Sequence, residues 1–382
     1  MQTKKIVIAS DSFKGTLSSL DICQLFNDEF KTHKNFNPVY VPIADGGEGS
    51  LDAVSKSIDG RFVEVEVKDL YFQKLITHFY IDKNNNAYIE AASCVGLGLA
   101  RNDNDPGLVT TYGLGEQIKE AIRLGVHNIY IFLGGSASND GGVGLASALG
   151  TKFFDKDNNE FIPTGLTLKN IVRIDNLKAN ELLKKRNIVA LCDVKSPLFG
   201  IEGAAYKFAP QKGASKKEIK ELDDNLRHLS QVINKDLNKD ISLVPGSGAA
   251  GGLGAGLLAF AHAKIVSGID ALLDLIHFDE IISDADYVIS GEGKLDRQTL
   301  DGKVIDGIAK RCEKHHKPLI VVVGISEIDL VDAQKTYPAI KILYETNYKH
   351  LPFEAVKGTA KEDYIVQIKQ LLNDSDILPP LN

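Results

Sequence analysis

A chain of 382 residues is long enough for roughly two or three domains, each with a substantial core. With 43% hydrophobic and 25% charged residues, its composition is that of an ordinary soluble globular protein. A formal net charge of −7 argues against nucleic acid or an anionic membrane as its main partner.

The opening MQTKKIVIAS carries an apolar run too short for a secretory leader or a membrane span. Cys23, Cys94, Cys192 and Cys312 are too scattered for a zinc site or a redox pair, so a reduced cytoplasmic setting is expected. Residues 5–9 form a β-branched run that predicts a strand, and it leads into the polar stretch Ser10-Asp11-Ser12-Phe13-Lys14-Gly15-Thr16. Ser18 with Asp21 has the form of a helix start, and Cys23, Phe26 and Phe30 recur at helical spacing, so a helix is expected over 19–33. Residues 38–44 read as the next strand, ending in Asp45-Gly46-Gly47-Glu48-Gly49-Ser50.

The middle of the chain follows another pattern. Residues 62–67 and 75–81 alternate, and Asp82-Lys83-Asn84-Asn85-Asn86 followed by 87–91 predicts a hairpin, with a second at 155–159. A strand at 129–133 precedes the loop 134–142, a helix at 142–149 follows it, and the strand 188–191 runs into Asp193. Near the far end, 287–290 reads as a strand, 291–299 as a loop and 303–315 as a helix. Apolar runs at 319–323 and 340–344 and a helix near 361–372 complete the chain. Continuously apolar strands alternating with helices indicate an α/β fold with a buried parallel sheet. The expected organisation is a Rossmann-like parallel α/β domain built from 1–65 and 285–382, with a mixed α+β domain inserted over 66–284.

Three loops share one chemistry: 45–50, 134–142 and 291–299 each combine glycines with small hydroxyls and a carboxylate. Glycines let a backbone approach a phosphate closely, and a following helix presents free N–H groups to it. Single glycine-rich turns are as often mere connections, but three together favour nucleotide-phosphate binding through Gly46, Gly47, Gly134, Gly135, Ser136, Ser138, Asn139, Gly291 and Gly293. Mg²⁺ would then use one or two carboxylates, drawn from Asp45, Glu48, Asp140, Asp193, Glu292 and Asp296. Asp140 has the placement of a simple helix cap, whereas Asp193 sits at a strand's carboxyl end, where α/β ligand sites lie.

Gly246-Ser247-Gly248-Ala249-Ala250-Gly251 matches G-x-G-x-x-G, but Pro245 precedes it and no clear second strand ending in an acid follows the helix expected over 249–263. A close-packed glycine helix is the better reading, with a dehydrogenase as the rival. No Walker-type G-x-x-x-x-G-K-[ST], no G-x-S-x-G elbow and no metal-like histidine spacing occur.

IASDSFKGTLSS, PIADGGEGSLDAV, GGSASNDGG, CDVKSPLFG with GAA and FAPQKGA, PGSGAAGGLGAG and SGEGKLDRQTLDGK together resemble the bacterial glycerate kinase family, the type that includes glycerate 2-kinases. The resemblance runs in order from Lys5 to about Gly324. It implies a two-domain α/β enzyme that moves the γ-phosphoryl of ATP to D-glycerate with Mg²⁺, 2-phosphoglycerate being the favoured product. A 3-phosphoglycerate-forming enzyme and a non-catalytic sensor of nucleotide or glycerate are the alternatives. The expected partners are ATP and D-glycerate, with neither nucleic acid nor membrane, and a homo-oligomer is compatible with this reading. On that expectation Ser12, Lys14 and Arg297 hold the glycerate carboxylate or the transferring phosphate. Asp193 and Asp296 serve as base or Mg²⁺ ligand beside Asp45, and Lys14 neutralises developing charge.

Overall fold

The computed structural model describes residues 3–33, 35–44, 46–47, 49–296 and 303–373. In chain order the strands are β1 (Lys4–Ile8), β2 (Phe36–Tyr40), β3 (Gly60–Lys68), β4 (Lys74–Asp82), β5 (Ala87–Glu90), β6 (Asn128–Phe132), β7 (Lys152–Phe154) and β8 (Glu160–Phe161). They continue with β9 (Arg173–Asp175), β10 (Asn187–Leu191), β11 (Lys264–Val266), β12 (Tyr287–Leu295), β13 (Leu319–Ser326) and β14 (Ile340–Glu345). Contacts divide the chain into two units, one of residues 1–45, 52–57 and 269–382, the other of 46–51 and 58–268. These bounds differ from those expected at 66 and 284, because β3 pairs along its whole length with β4, and residues 269–284 pack with the chain ends.

The first unit holds a five-stranded sheet in the order β14-β13-β12-β1-β2, every pair parallel. Parallel strands are buried on both faces, which explains their unbroken apolar runs. Ile6, Ile8, Ile289, Ile320 and Val322 pack on one side against Phe26, Tyr364 and Ile368, while Val7, Val288 and Val321 alternate with them and are equally buried. The helix Ser19–Phe30 starts with Ser18 accepting from the Asp21 N–H, and the Asp21 carboxylate accepts from Ser18 in return. Its Phe26 meets Tyr364 of the helix Ala360–Asn373 edge to face, with 6.0 Å between ring centroids. Pro38, which cannot donate to a ladder, is accommodated because β2 is an edge strand; that strand spans 36–40 rather than 38–44.

The second unit carries a six-stranded sheet, β11-β10-β6-β5-β4-β3. Its first four strands are parallel, and β4 pairs antiparallel with β3 and with β5, the latter through the expected 82–86 hairpin. The other expected hairpin joins β7 to β8 in a small antiparallel sheet, where the Asp155 carboxylate accepts from the N–H groups of Asp157 and Asn159. One core lies around the large sheet and the helix Tyr112–Arg123, with Leu114, Ile118, Ile129, Ile131 and Leu253 at its centre. A second surrounds the helix Lys216–Leu237, whose Leu222, Leu226 and Leu229 form a stripe at helical spacing against Phe153 and Phe260.

Two local expectations change. β12 runs on to Leu295, so 291–295 is strand rather than loop: Gly291, Lys294 and Leu295 pair with Val322, Ile325 and Ser326 of β13. The residues after Gly246 do form a helix, Ala249–Phe260, but Ala250, Gly251 and Gly252 are left-handed within it, and a short strand, β11, follows. Among the described residues no helix is long and apolar enough to cross a membrane.

Candidate active site

In the first unit the strand order reverses between β1 and β12, with β1 followed by β2 on one side and β12 lying on the other. Such a switch point opens a crevice at the carboxyl ends of the strands. The stretch 9–16 leaves β1 at that end. It continues to pair there, the Ala9 N–H donating to Ile289 O and the Asp11 N–H to Gly291 O at 2.9 Å. A Cβ on Gly291 would lie 2.0 Å from Val322 O and 3.0 Å from Ser10 Oγ, so the position demands glycine. Ser19 Oγ donates to Ser10 O and accepts from the Ile43 N–H, tying the loop to the helix that follows it.

Within this loop the buried Asp11 accepts from the Ser12 N–H at 2.6 Å. Thr16 donates twice to Phe13 O, closing a turn in which Gly15 has φ +83°. Lys14 is exposed at that turn, and Ser12 is half-buried. Phe13 Cα lies 3.7 Å from where a Gly293 Cβ would be, so the two motifs are in contact. Lys294 pairs with Glu327 at 2.7 Å and stands 3.6 Å from Asp296, whose side chain is 18% exposed. The first unit thus brings Ser12, Lys14, Gly291, Gly293 and Asp296 to one region. Asp45, Glu48 and Arg297 lie outside the described residues.

The second unit groups the remaining candidates along another carboxyl edge. Glu90, Phe132, Leu191 and Val266 stand in register across the four parallel strands. The chain beyond those ends contributes Gly134-Gly135, Asp193 and Ser267-Gly268. The glycine turn at 46–47 lies on this edge: Gly46 O accepts from the Gly134 N–H, and a Cβ on Gly134 would lie 2.3 Å from Gly47 Cα. The Glu90 carboxylate accepts from the N–H groups of Gly49 and Leu51 at 3.2 and 3.1 Å, a negative charge at the start of the helix Ser50–Ser57. Asp193 Oδ1 accepts from Ser267 Oγ and the Gly268 N–H at 2.9 and 2.8 Å, at the start of the helix Gly268–Leu275.

The loop 134–142 turns its side chains inward, and only its first two residues reach the surface. Gly135 is exposed and Gly134 half-buried, whereas Ser136, Ser138, Asn139 and Asp140 are all buried. Ser136 Oγ accepts from the Ser138 N–H and shares a hydrogen bond with Ser138 Oγ. The Asp140 carboxylate accepts from four donors: Thr111 N–H, Thr111 Oγ1, Gly142 N–H and Gly144 N–H. Burial pushes its carboxyl above the usual range, and those hydrogen bonds pull the other way. With its lone pairs so occupied, Asp140 holds the start of the helix Val143–Leu149 and is not available to a cation.

The glycines after Gly246 serve this same loop. A Cβ on Gly251 would sit 2.0 Å from Ser138 O, and Gly251 O accepts from the Gly141 N–H. A Cβ on Gly248 would meet Pro197 O at 2.1 Å. These contacts consume the G-x-G-x-x-G match in backbone packing, and β11 ends at Val266 and is followed by Ser267, not by the acid a dinucleotide site needs. Among the described residues, no three His, Cys, Asp or Glu side chains gather as a metal cluster. Sequence reasoning passed over Glu90, although an acid ending the apolar run AYIE is the same signal that singled out Asp193. It also passed over Lys212, which is fully inside the protein.

The chain matches the model of the glycerate kinase family over residues 6–371. It is 41% identical to the glycerate 2-kinase of Escherichia coli strain K12 over 323 residues, covering 84% of this chain and 85% of that protein. A glycerate kinase of Bacillus cereus is 39% identical over the same shares. A crystal structure named for a glycerate kinase 2 from Salmonella typhimurium LT2 superposes with a TM-score of 0.80 at 34% identity, covering 97% of each chain.

Proposed function

The chain belongs to the glycerate kinase family of ATP-dependent kinases, and we propose that it transfers the γ-phosphoryl of ATP to the 2-hydroxyl of D-glycerate. The observation that carries this reading is the switch point between β1 and β12. There Ser12 and the exposed Lys14 border the crevice where an α/β sheet takes its ligand.

Ser12, Lys14 and Arg297 hold the glycerate carboxylate, and Lys14 offsets the charge that develops on the transferring phosphoryl group. The backbone of Gly46, Gly47, Gly134, Gly135, Gly291 and Gly293 approaches the nucleotide phosphates. Ser136, Ser138 and Asn139, whose side chains are buried, shape their loop from inside. When bound, Mg²⁺ neutralises phosphate charge, and Asp45, Asp193 and Asp296 are the carboxylates that would hold it. Asp296 is partly exposed, as such a ligand must be, while Asp193 Oδ1 already accepts two hydrogen bonds. One of Asp193 and Asp296 alternatively orients the attacking hydroxyl.

Incubation with Mg²⁺-ATP and D-glycerate, followed by ³¹P NMR, tests this reading. The expected result is glycerate-dependent ADP with phosphate on the 2-position; phosphate on the 3-position overturns the regiochemistry, and binding without turnover makes the protein a sensor. Asp193→Asn and Asp296→Asn are each expected to abolish turnover with the fold retained. For Asp193 the amide oxygen can keep the bonds from Ser267 and Gly268. Full activity in either variant removes that residue from the machinery.

A further inference from the structure

Lys212 ends the short turn Pro210–Lys212 inside FAPQKGA, a motif to which the reaction assigns no task. Lysine is almost never fully buried without a countercharge in contact with it. Here the ammonium donates to Ser138 O at 2.7 Å, one of the three hydrogen bonds it can make. Asp140 is the one charged group that acts on it among the described residues, and both amide atoms of the buried Asn139 have no hydrogen-bond partner. The placement is built: Asn104 Nδ2 donates to Lys212 O and Ala137 O, and Gly213, at φ +106°, would carry a Cβ 2.2 Å from Asn104 O. From Ser138 the linkage runs outward through its N–H to Ser136 Oγ, next to the exposed Gly135.

We propose that Lys212 is a positioning residue for phosphoryl transfer: through the Ser138 carbonyl its buried charge fixes the 134–138 turn in the shape that receives the nucleotide phosphates. This rests on the reading that the turn binds ATP. A charge kept inside a protein is costly to stability and persists where it serves another end. Burial lowers the Lys212 ammonium to about 7, so it gives up its proton within the working range of pH.

The sign of the stability effect follows. Between about 7 and the ordinary value of 10.5 the unfolded chain holds a proton here that the folded chain lacks, so Lys212 makes the fold more stable as pH rises through that window. If the charged form positions the loop, ATP usage must move in the opposite direction. The experiment compares wild type, Lys212→Arg and Lys212→Met between pH 6 and 9.5 by steady-state kinetics and thermal unfolding. The nucleotide's own titration is common to all three enzymes and cancels in their ratio.

The expected result is a fall in wild-type kcat/KM for ATP above neutrality while the unfolding temperature holds or rises. Lys212→Arg removes that fall. Lys212→Met lowers kcat/KM for ATP by about 10²-fold at pH 7, the cost of a misplaced binding group, with KM for glycerate unchanged. A flat wild-type profile relative to Lys212→Arg overturns the proposal, as does Lys212→Met within about threefold of wild type. If neither variant folds, the wild-type profile decides alone, a flat one counting against the proposal. Absence of glycerate-dependent ADP from wild type at pH 7 is a different failure, that of the kinase reading itself.

Discussion

Replacing Asp140 separates a structural acid from a metal ligand. Asp140→Ala strips four buried donors of their acceptor: Thr111 N–H, Thr111 Oγ1, Gly142 N–H and Gly144 N–H. At about 1–3 kcal/mol for each, even the low end is about 4 kcal/mol, a large part of the roughly 5–15 kcal/mol that holds a domain together. Asp140→Asn is gentler. An amide oxygen at the Oδ2 position still accepts from Thr111 N–H, Thr111 Oγ1 and Gly144 N–H, and only the bond from Gly142 is lost. That is worth about 2 kcal/mol, or a fall of about 4–8 °C in the transition of a unit this size. Circular dichroism melting with kinetics measured well below the transition is the assay. Asp140→Asn is expected to melt earlier and to keep turnover within about tenfold of wild type. An unchanged melt with abolished turnover would refute the structural assignment and make Asp140 part of the chemistry.

Gly251→Ala places a Cβ 2.0 Å from Ser138 O in a left-handed position, so about 3 kcal/mol of destabilisation is expected from strain and overlap together, read by denaturant unfolding. Lys14→Met is expected to leave the melt unchanged, since the side chain is exposed, and to reduce kcat/KM by at least ~10²-fold; near wild-type kinetics would remove Lys14 from the site. Glu90→Gln withdraws a negative charge from the start of the helix Ser50–Ser57 and should cost about 1 kcal/mol in thermal unfolding.

Much of the architecture was legible because it depends on local pattern. The apolar runs at β1, β13 and β14 declare a two-sided parallel sheet, and Ser18 with Asp21 marks its helix start within the sequence itself. The Asp82–Asn86 turn was legible for the same reason: the Asp82 carboxylate accepts from the N–H groups of Asn84 and Asn86, neighbours along the chain. The extension of β12 through Gly291 and Gly293 was not. Glycine reads as a loop, and only the partner strand β13 makes it a strand, one in which a Cβ at Gly291 would meet Val322 O and Ser10 Oγ.

The sequence by itself determined which chemical groups are present and in which strand-end segments they lie: the lysine of IASDSFKGT, the glycine turns, and the acids following apolar runs. Tertiary structure decided what those groups do. It gave the lone pairs of Asp140 to three backbone donors and the Thr111 hydroxyl, turned Ser138 and Asn139 inward, and set a lysine from a separate motif behind their loop. The physical reason is that hydrogen-bond partners and burial depend on residues distant along the chain, as with Lys212 and Ser138, so no local pattern can report them.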